Sequence, residues 1–128
     1  MTPAERARAG LTGLAALAAQ VSERHADDIA RLAGRYIETL EGGGTVFFAG
    51  NGGSAADAQH MATEYVVRYS HNRRALPAIA LTTDTSLLTA CGNDLGFDEN
   101  FARQIRRTPV KPRTSAQTPD NAIHNKFD

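Results

Sequence analysis

Apolar residues recur along the first third of the chain at helical spacing. Leu11, Leu14, Leu17 and Val21 form one set, and Ile29, Leu32, Ala33, Tyr36 and Leu40 form another at i, i+3, i+4, i+7 and i+11. The two sets predict two amphipathic N-terminal helices, the second from about Asp27 to Glu41 and ended by Gly42-Gly43-Gly44. The period then changes. Thr45-Val46-Phe47-Phe48-Ala49 is a continuous β-branched and aromatic run, which predicts a short strand buried on both faces of a parallel sheet. Gly50-Asn51-Gly52-Gly53 interrupts it. Ser54 is placed to cap a helix reaching about Tyr69, with Met61, Tyr65 and the stem of Arg68 on its packed side.

Pro77 to Leu81 reads as a second strand. Thr82-Thr83-Asp84-Thr85 offers turn and cap chemistry for a short helix through Ala90. Asn93-Asp94-Leu95-Gly96 breaks the chain, and Asp98 caps a last helix containing Phe101 and Ile105. The order α-α-β-α-β-α needs crossovers between strands and predicts an α/β layered fold with a parallel sheet. Two strands are fewer than the roughly four to six of a typical sheet. The fold therefore reads as incomplete on its C-terminal side.

The 128 residues, 41% hydrophobic and 22% charged, suit one soluble globular domain. Fourteen basic and fourteen acidic residues give a formal net charge of zero, so no overall field favours nucleic acid or an anionic membrane. Leu11 to Ala19, preceded by Arg6 and Arg8, is only faintly like a signal-peptide core, and its helical periodicity argues against that reading. No apolar run approaches the roughly 20 residues of a membrane span. A single cysteine, Cys91, rules out an internal disulfide and fits a reducing compartment, so a cytoplasmic location is expected.

The material of the chain changes near its end. Through Ile105 every basic residue is an arginine, nine against twelve acids, whereas Lys111, Lys126 and three of the five prolines lie beyond. Residues 1–105 are read as the structured portion. Residues 106–128, without an apolar period, are read as a disordered tail.

The richest chemistry follows the first strand. In an open α/β sheet, ligands bind beyond the carboxyl ends of the strands, where helix N-terminal amides favour anions and sugar oxygens. Glycines at 50, 52 and 53 allow close approach of backbone to ligand, Asn51 offers a donor and an acceptor, and Ser54 offers a hydroxyl. The loop lacks the Walker lysine and the dinucleotide spacing, and a glycine-rich turn after a strand is also commonly only a turn. About one turn along the helix, His60 and Glu64 stand four apart on one face. Imidazole and carboxylate suit zinc, and a carboxylate beside a cation can act as a base. The same spacing also describes an ordinary solvated pair.

Gly50-Asn51-Gly52-Gly53-Ser54-Ala55-Ala56-Asp57-Ala58-Gln59-His60, Glu64, Arg68-Tyr69, Leu76-Pro77-Ala78-Ile79-Ala80-Leu81-Thr82, Gly92-Asn93-Asp94 and Gly96-Phe97 together resemble the phosphoheptose isomerases. These are sedoheptulose 7-phosphate isomerases of the sugar isomerase (SIS) domain group. The resemblance spans roughly Leu11 to Ile105 and rests on several motifs in compatible order. It implies a SIS-domain parallel-sheet α/β sandwich whose N-terminal helices pack in a homotetramer. By position it implies that Asn51, Gly52, Gly53 and Ser54 bind substrate, with Asn93 and Asp94 as further sugar contacts. It implies His60 and Glu64 as zinc ligands, and Glu64 as the acid/base group of an aldose-ketose isomerisation through an enediol. An enediol gathers negative charge on oxygen, which a divalent cation and helix amides stabilise.

Members of that family continue with a serine- and threonine-rich phosphate loop, further strands, and a late helix supplying a glutamine and a histidine. Residues 106–128 do not carry these motifs. Thr114-Ser115 lies among prolines, and His124 has no scaffold. The expectation is therefore a truncated or frame-shifted isomerase sequence, inactive as written. Similar SIS-domain adaptors that bind the replication initiator are an alternative, although they lack counterparts of Gly53 and Glu64. A regulatory sugar-phosphate-binding module is another.

Overall fold

The computed structural model describes residues 1–108. Six elements follow in order: α1 (Pro3–Glu41), β1 (Val46–Phe48), α2 (Gly53–Val66), β2 (Ala78–Ala80), α3 (Thr85–Asp94) and α4 (Glu99–Arg106). The expected tail, apart from its first residues, lies outside the described residues. Arg106 itself closes α4, and the Thr108 hydroxyl donates to the Gln104 carbonyl at 3.1 Å. The chain divides into two compact units, Met1–Ile37 and the chain from Glu38 onward.

The first unit is helical from Pro3 onward. Where two helices were expected, α1 is a single helix of 39 residues. The segment Ser22 to Asp28 contains neither glycine nor proline, so nothing local stops the hydrogen-bond ladder. Asp28 also links adjacent turns, with His25 Nδ1 3.1 Å from its Oδ2 and Arg31 donating to its Oδ1. The helix starts at a reciprocal capping box. The Thr2 amide donates to Glu5 Oε2 at 2.6 Å, and the Glu5 amide donates to Thr2 Oγ1 at 3.2 Å. Pro3 occupies the first helical position, where its missing N–H costs nothing. Leu11, Leu14, Leu17, Val21, Ile29 and Leu32 are all exposed in this chain.

The second unit begins with the end of α1. Glycines 42 to 44 donate back to the carbonyls of Glu38, Leu40 and Thr39 at 3.0, 3.2 and 2.8 Å, closing the helix as expected. The strands pair in parallel, with Val46, Phe47 and Phe48 opposite Ala78, Ile79 and Ala80. Helix α2 provides the crossover and packs on both strands. Leu40, Val46, Ala58, Ala62, Leu76, Ala78, Leu81 and Cys91 are buried. The strands are not covered on both faces as expected. Phe47 is only half-buried and Ile79 is 49% exposed, because α2 covers the alternate side, where Tyr65 meets Phe48 with ring centroids 5.6 Å apart.

Beyond β2, Asp84 Oδ1 accepts the Leu87 amide at 3.0 Å and caps α3. This helix runs four residues past the expected end at Ala90, so Asn93 and Asp94 are helical and the break falls at Leu95-Gly96. Asp98 precedes α4 without a side-chain cap bond. Buried Gln104 instead anchors α4, donating from Nε2 to the carbonyls of Leu81 (2.9 Å) and Asn100 (3.0 Å).

Candidate functional site

The glycine loop lies between the carboxyl end of β1 and the amino end of α2, as the sequence pattern requires. The Ser54 amide donates to Asn51 O and the Ala55 amide to Gly52 O, both at 3.1 Å, so the turn is tight. A Cβ on Gly50 would lie 2.4 Å from the Ser54 carbonyl oxygen. Gly52 adopts φ +58°, a left-handed conformation that side chains disfavour. Packing therefore demands glycine at 50 and backbone geometry demands it at 52. A Cβ on Gly53 would meet nothing within 4 Å, so neither reason applies there. The expected cap at Ser54 is not formed. Gly52 is the N-cap, which places Ser54 in the first turn with its side chain exposed.

His60 Nε2 lies 3.0 Å from Glu64 Oε1. His60 is 74% exposed and Glu64 27%, so the carboxylate is the more sheltered partner. The pair sits further from the loop than the single turn expected. At about 1.5 Å per residue, His60 is roughly 10 Å and Glu64 roughly 16 Å along the helix from Gly53. The packed side of α2 is also different: Ala58 and Ala62 are buried and Tyr65 half-buried, while Met61 and Arg68 are exposed.

Asn93 and Asp94 occupy the last turn of α3, where Asn93 Nδ2 donates to Asp94 Oδ1 at 2.8 Å. Helix α3 packs on α4 and not on α2. The structure thus joins His60 with Glu64 and Asn93 with Asp94, without a direct contact between the two pairs. Among the described residues, no group of three or more His, Cys, Asp or Glu side chains is placed to hold a metal ion. The imidazole nitrogen and carboxylate oxygen at 3.0 Å fit part of a zinc coordination sphere.

Two bracing contacts were not read from the sequence. Gln59 Nε2 donates to Thr82 Oγ1 at 3.3 Å, tying α2 to the end of β2. Arg73 donates to the Glu64 and Tyr65 carbonyls at 2.6 and 2.8 Å. An arginine soon after a helix end was the available signal for the second contact.

With this geometry in view, comparison with known proteins places the chain. Residues 11–114 match the SIS domain family, and the chain belongs to it. Its curated relatives include proteins named phosphoheptose isomerase. That of Paramagnetospirillum magneticum is 60% identical over 75 residues, covering 59% of this chain and 39% of the relative. That of Chlorobaculum parvum is 61% identical over 85 residues, covering 65% and 41%. The chain spans about two fifths of the length of these relatives. The phosphoheptose isomerase structure from Neisseria gonorrhoeae superimposes with a TM-score of 0.74 at 40% identity, covering 82% of this chain and 54% of that one. For the Francisella tularensis phosphoheptose isomerase, the TM-score is 0.81 at 32% identity, with 87% and 58% covered. No helix among the described residues is long and apolar enough to cross a membrane.

Proposed function

We propose that this chain carries the substrate loop and acid/base helix of a phosphoheptose isomerase, which interconverts sedoheptulose 7-phosphate and an aldoheptose 7-phosphate. The observation that carries this reading is the His60–Glu64 pair, 3.0 Å apart on the helix opened by the Gly50–Ser54 loop. Asn51, the backbone at Gly52 and Gly53, and the exposed Ser54 hydroxyl bind sugar oxygens, and Asn93 and Asp94 add further contacts. Glu64 takes the proton from the hydroxyl-bearing carbon beside the carbonyl and returns it to the former carbonyl carbon, while the hydroxyl proton passes by way of solvent water to the former carbonyl oxygen, through an enediol.

His60 Nε2 and a Glu64 carboxylate oxygen would hold zinc, with the remaining positions filled by other groups. The ion would supply electrophilic stabilisation of substrate oxygens when bound. Self-association belongs to the same reading. The exposed apolar residues of α1 suit a homo-oligomer, a tetramer by likeness to the family. A reducing cytoplasm suits the buried free thiol of Cys91.

The test is turnover of sedoheptulose 7-phosphate. The 128 residues alone are expected to show no conversion, because among the described residues His60 and Glu64 are the metal donors brought together and no group of three or more His, Cys, Asp or Glu is placed to hold an ion. Joining the C-terminal half of a phosphoheptose isomerase after Ile105 is expected to restore turnover. Glu64→Gln should then lower it by about 10² to 10⁴, since the amide keeps the shape but cannot accept the proton. Enzyme-like turnover by the 128 residues alone, dependent on Glu64, would overturn the expectation of inactivity. A joined chain that stays inert on sugar phosphates yet captures a replication initiator would replace the isomerase with an adaptor.

A further inference from the structure

We propose that Arg73 is a positioning residue for Glu64. This inference rests on the reading of His60 and Glu64 as a zinc-binding and proton-transferring pair. Helix α2 ends at Val66; the Val67 amide still reaches the Thr63 carbonyl at 2.8 Å, but the next carbonyls, of Glu64 and Tyr65, lie beyond the helical amides that would normally satisfy them. The half-buried Arg73 reaches back from the loop to supply donors. Its Nη2 donates to the Glu64 carbonyl at 2.6 Å, and its Nη1 donates to the Tyr65 carbonyl at 2.8 Å and the Arg74 carbonyl at 3.0 Å. The Leu76 amide also donates to the Tyr65 carbonyl, at 3.0 Å.

The last turn of α2 is thereby tied to the segment that enters β2. The guanidinium also brings positive charge to the negative end of the helix dipole. Two adjacent carbonyls held by one rigid planar fork restrict the backbone of residue 64 more than separate donors on a flexible chain would. Glu64 sits one turn beyond His60, and its carboxylate must meet Nε2 at 3.0 Å for the pair to act together. Fraying of the last turn would move residue 64 and leave residue 60 in place. Arg73 acts through the Glu64 backbone and is distinct from the groups that would touch substrate.

The test uses the full 128-residue chain, with zinc ions alone titrated calorimetrically. Wild type is expected to bind zinc in a manner abolished by His60→Ala. Arg73→Gln should weaken that binding about 10-fold with helix content unchanged. Arg73→Lys should fall between the two, and Arg74→Gln, which removes the same charge from the adjacent residue, should leave affinity unchanged. Wild-type affinity in Arg73→Gln would overturn the proposal.

A second readout separates this inference from the zinc reading. In metal-free protein, the nuclear Overhauser cross-peak between the His60 ring and the Glu64 methylenes should weaken in Arg73→Gln and persist in Arg74→Gln. Absence of His60-dependent zinc binding in wild type would refute the zinc reading, and the cross-peak would then decide the positioning role. A cross-peak of wild-type strength in Arg73→Gln would overturn that role. If Arg73→Gln fails to fold, Arg73→Lys, which keeps the charge and loses the fork, decides by the same two readouts.

Discussion

The part of α1 over residues 3–37 and helix α2 share helical spacing of apolar positions but differ in what covers them. On α1, Leu11, Leu14, Leu17, Val21, Ile29 and Leu32 are exposed, although these are the larger side chains and the more regular pattern. On α2 the buried positions are Ala58 and Ala62, which allow the helix backbone to lie close against the strands β1 and β2. A periodic apolar face says which side of a helix needs cover. It does not say whether the same chain supplies that cover. Small residues, which carry a weak pattern, can mark the tighter packing because the neighbouring backbone comes nearest there.

The sharpest way to break this comparison is to overpack the junction that positions α2. In Gly50→Ala the new Cβ would sit 2.4 Å from the Ser54 carbonyl oxygen, and backbone cannot move aside as a flexible side chain can. Urea unfolding followed by circular dichroism should show a loss of about 3 kcal/mol in the unit from Glu38 onward. The α1 substitution Leu14→Ala should cost less than about 0.5 kcal/mol in dilute monomer. Equal costs at the two sites would erase the distinction.

A second prediction reverses the readout. Leu14→Asp with Leu17→Asp should shift sedimentation toward monomer at micromolar concentration, since each leucine buried in a self-interface contributes about 1.5–3 kcal/mol. The unfolding transition of the second unit should not change. Unaltered association would show that the exposed stripe is not the self-contact.

The smallest effect concerns the start of α1. The Thr2 backbone N–H, and secondarily the Thr2 hydroxyl, hold the Glu5 carboxyl below the usual carboxylate range. A carboxyl with a depressed folded value stabilises fully above its unfolded pKa, and the contribution is lost as pH falls through the folded value. Amide protection factors over the first turn, taken relative to intrinsic exchange at each pH, should fall on acidification through that window. The response should be absent in Glu5→Gln, and α2, whose N-cap is Gly52, should lack it. A loss of protection that survives Glu5→Gln would assign the effect to another group.

Where the signal is local, the sequence was sufficient. Glycines 42 to 44 end α1 and Asp84 caps α3, because each needs only carbonyls or amides within a few residues. The two strands and the loop between β1 and α2 were legible for the same reason. So was the His60–Glu64 pair, since residues four apart on any helix are neighbours. The motif order across the chain, read with these elements, was enough to indicate a SIS domain, to which residues 11–114 belong.

Local pattern failed where the answer depended on something further away. Two apolar sets looked like two helices, yet no breaker separates them and α1 continues. Ser54 looked like a cap, but the φ of Gly52 moved the helix start to Gly53 and left the serine inside the first turn. Arg73 lies nine residues from the Glu64 carbonyl it binds, and Gln104 lies 23 residues from Leu81. Those contacts exist only after the chain has folded back on itself. The sequence by itself determined which elements form and which side chains share a helix turn, because backbone propensity and side-chain periodicity act over a few residues. Tertiary structure alone decided which carbonyls at the end of α2 are held, and therefore where Glu64 is placed, because hydrogen bonds between distant segments require the packing that brings them together.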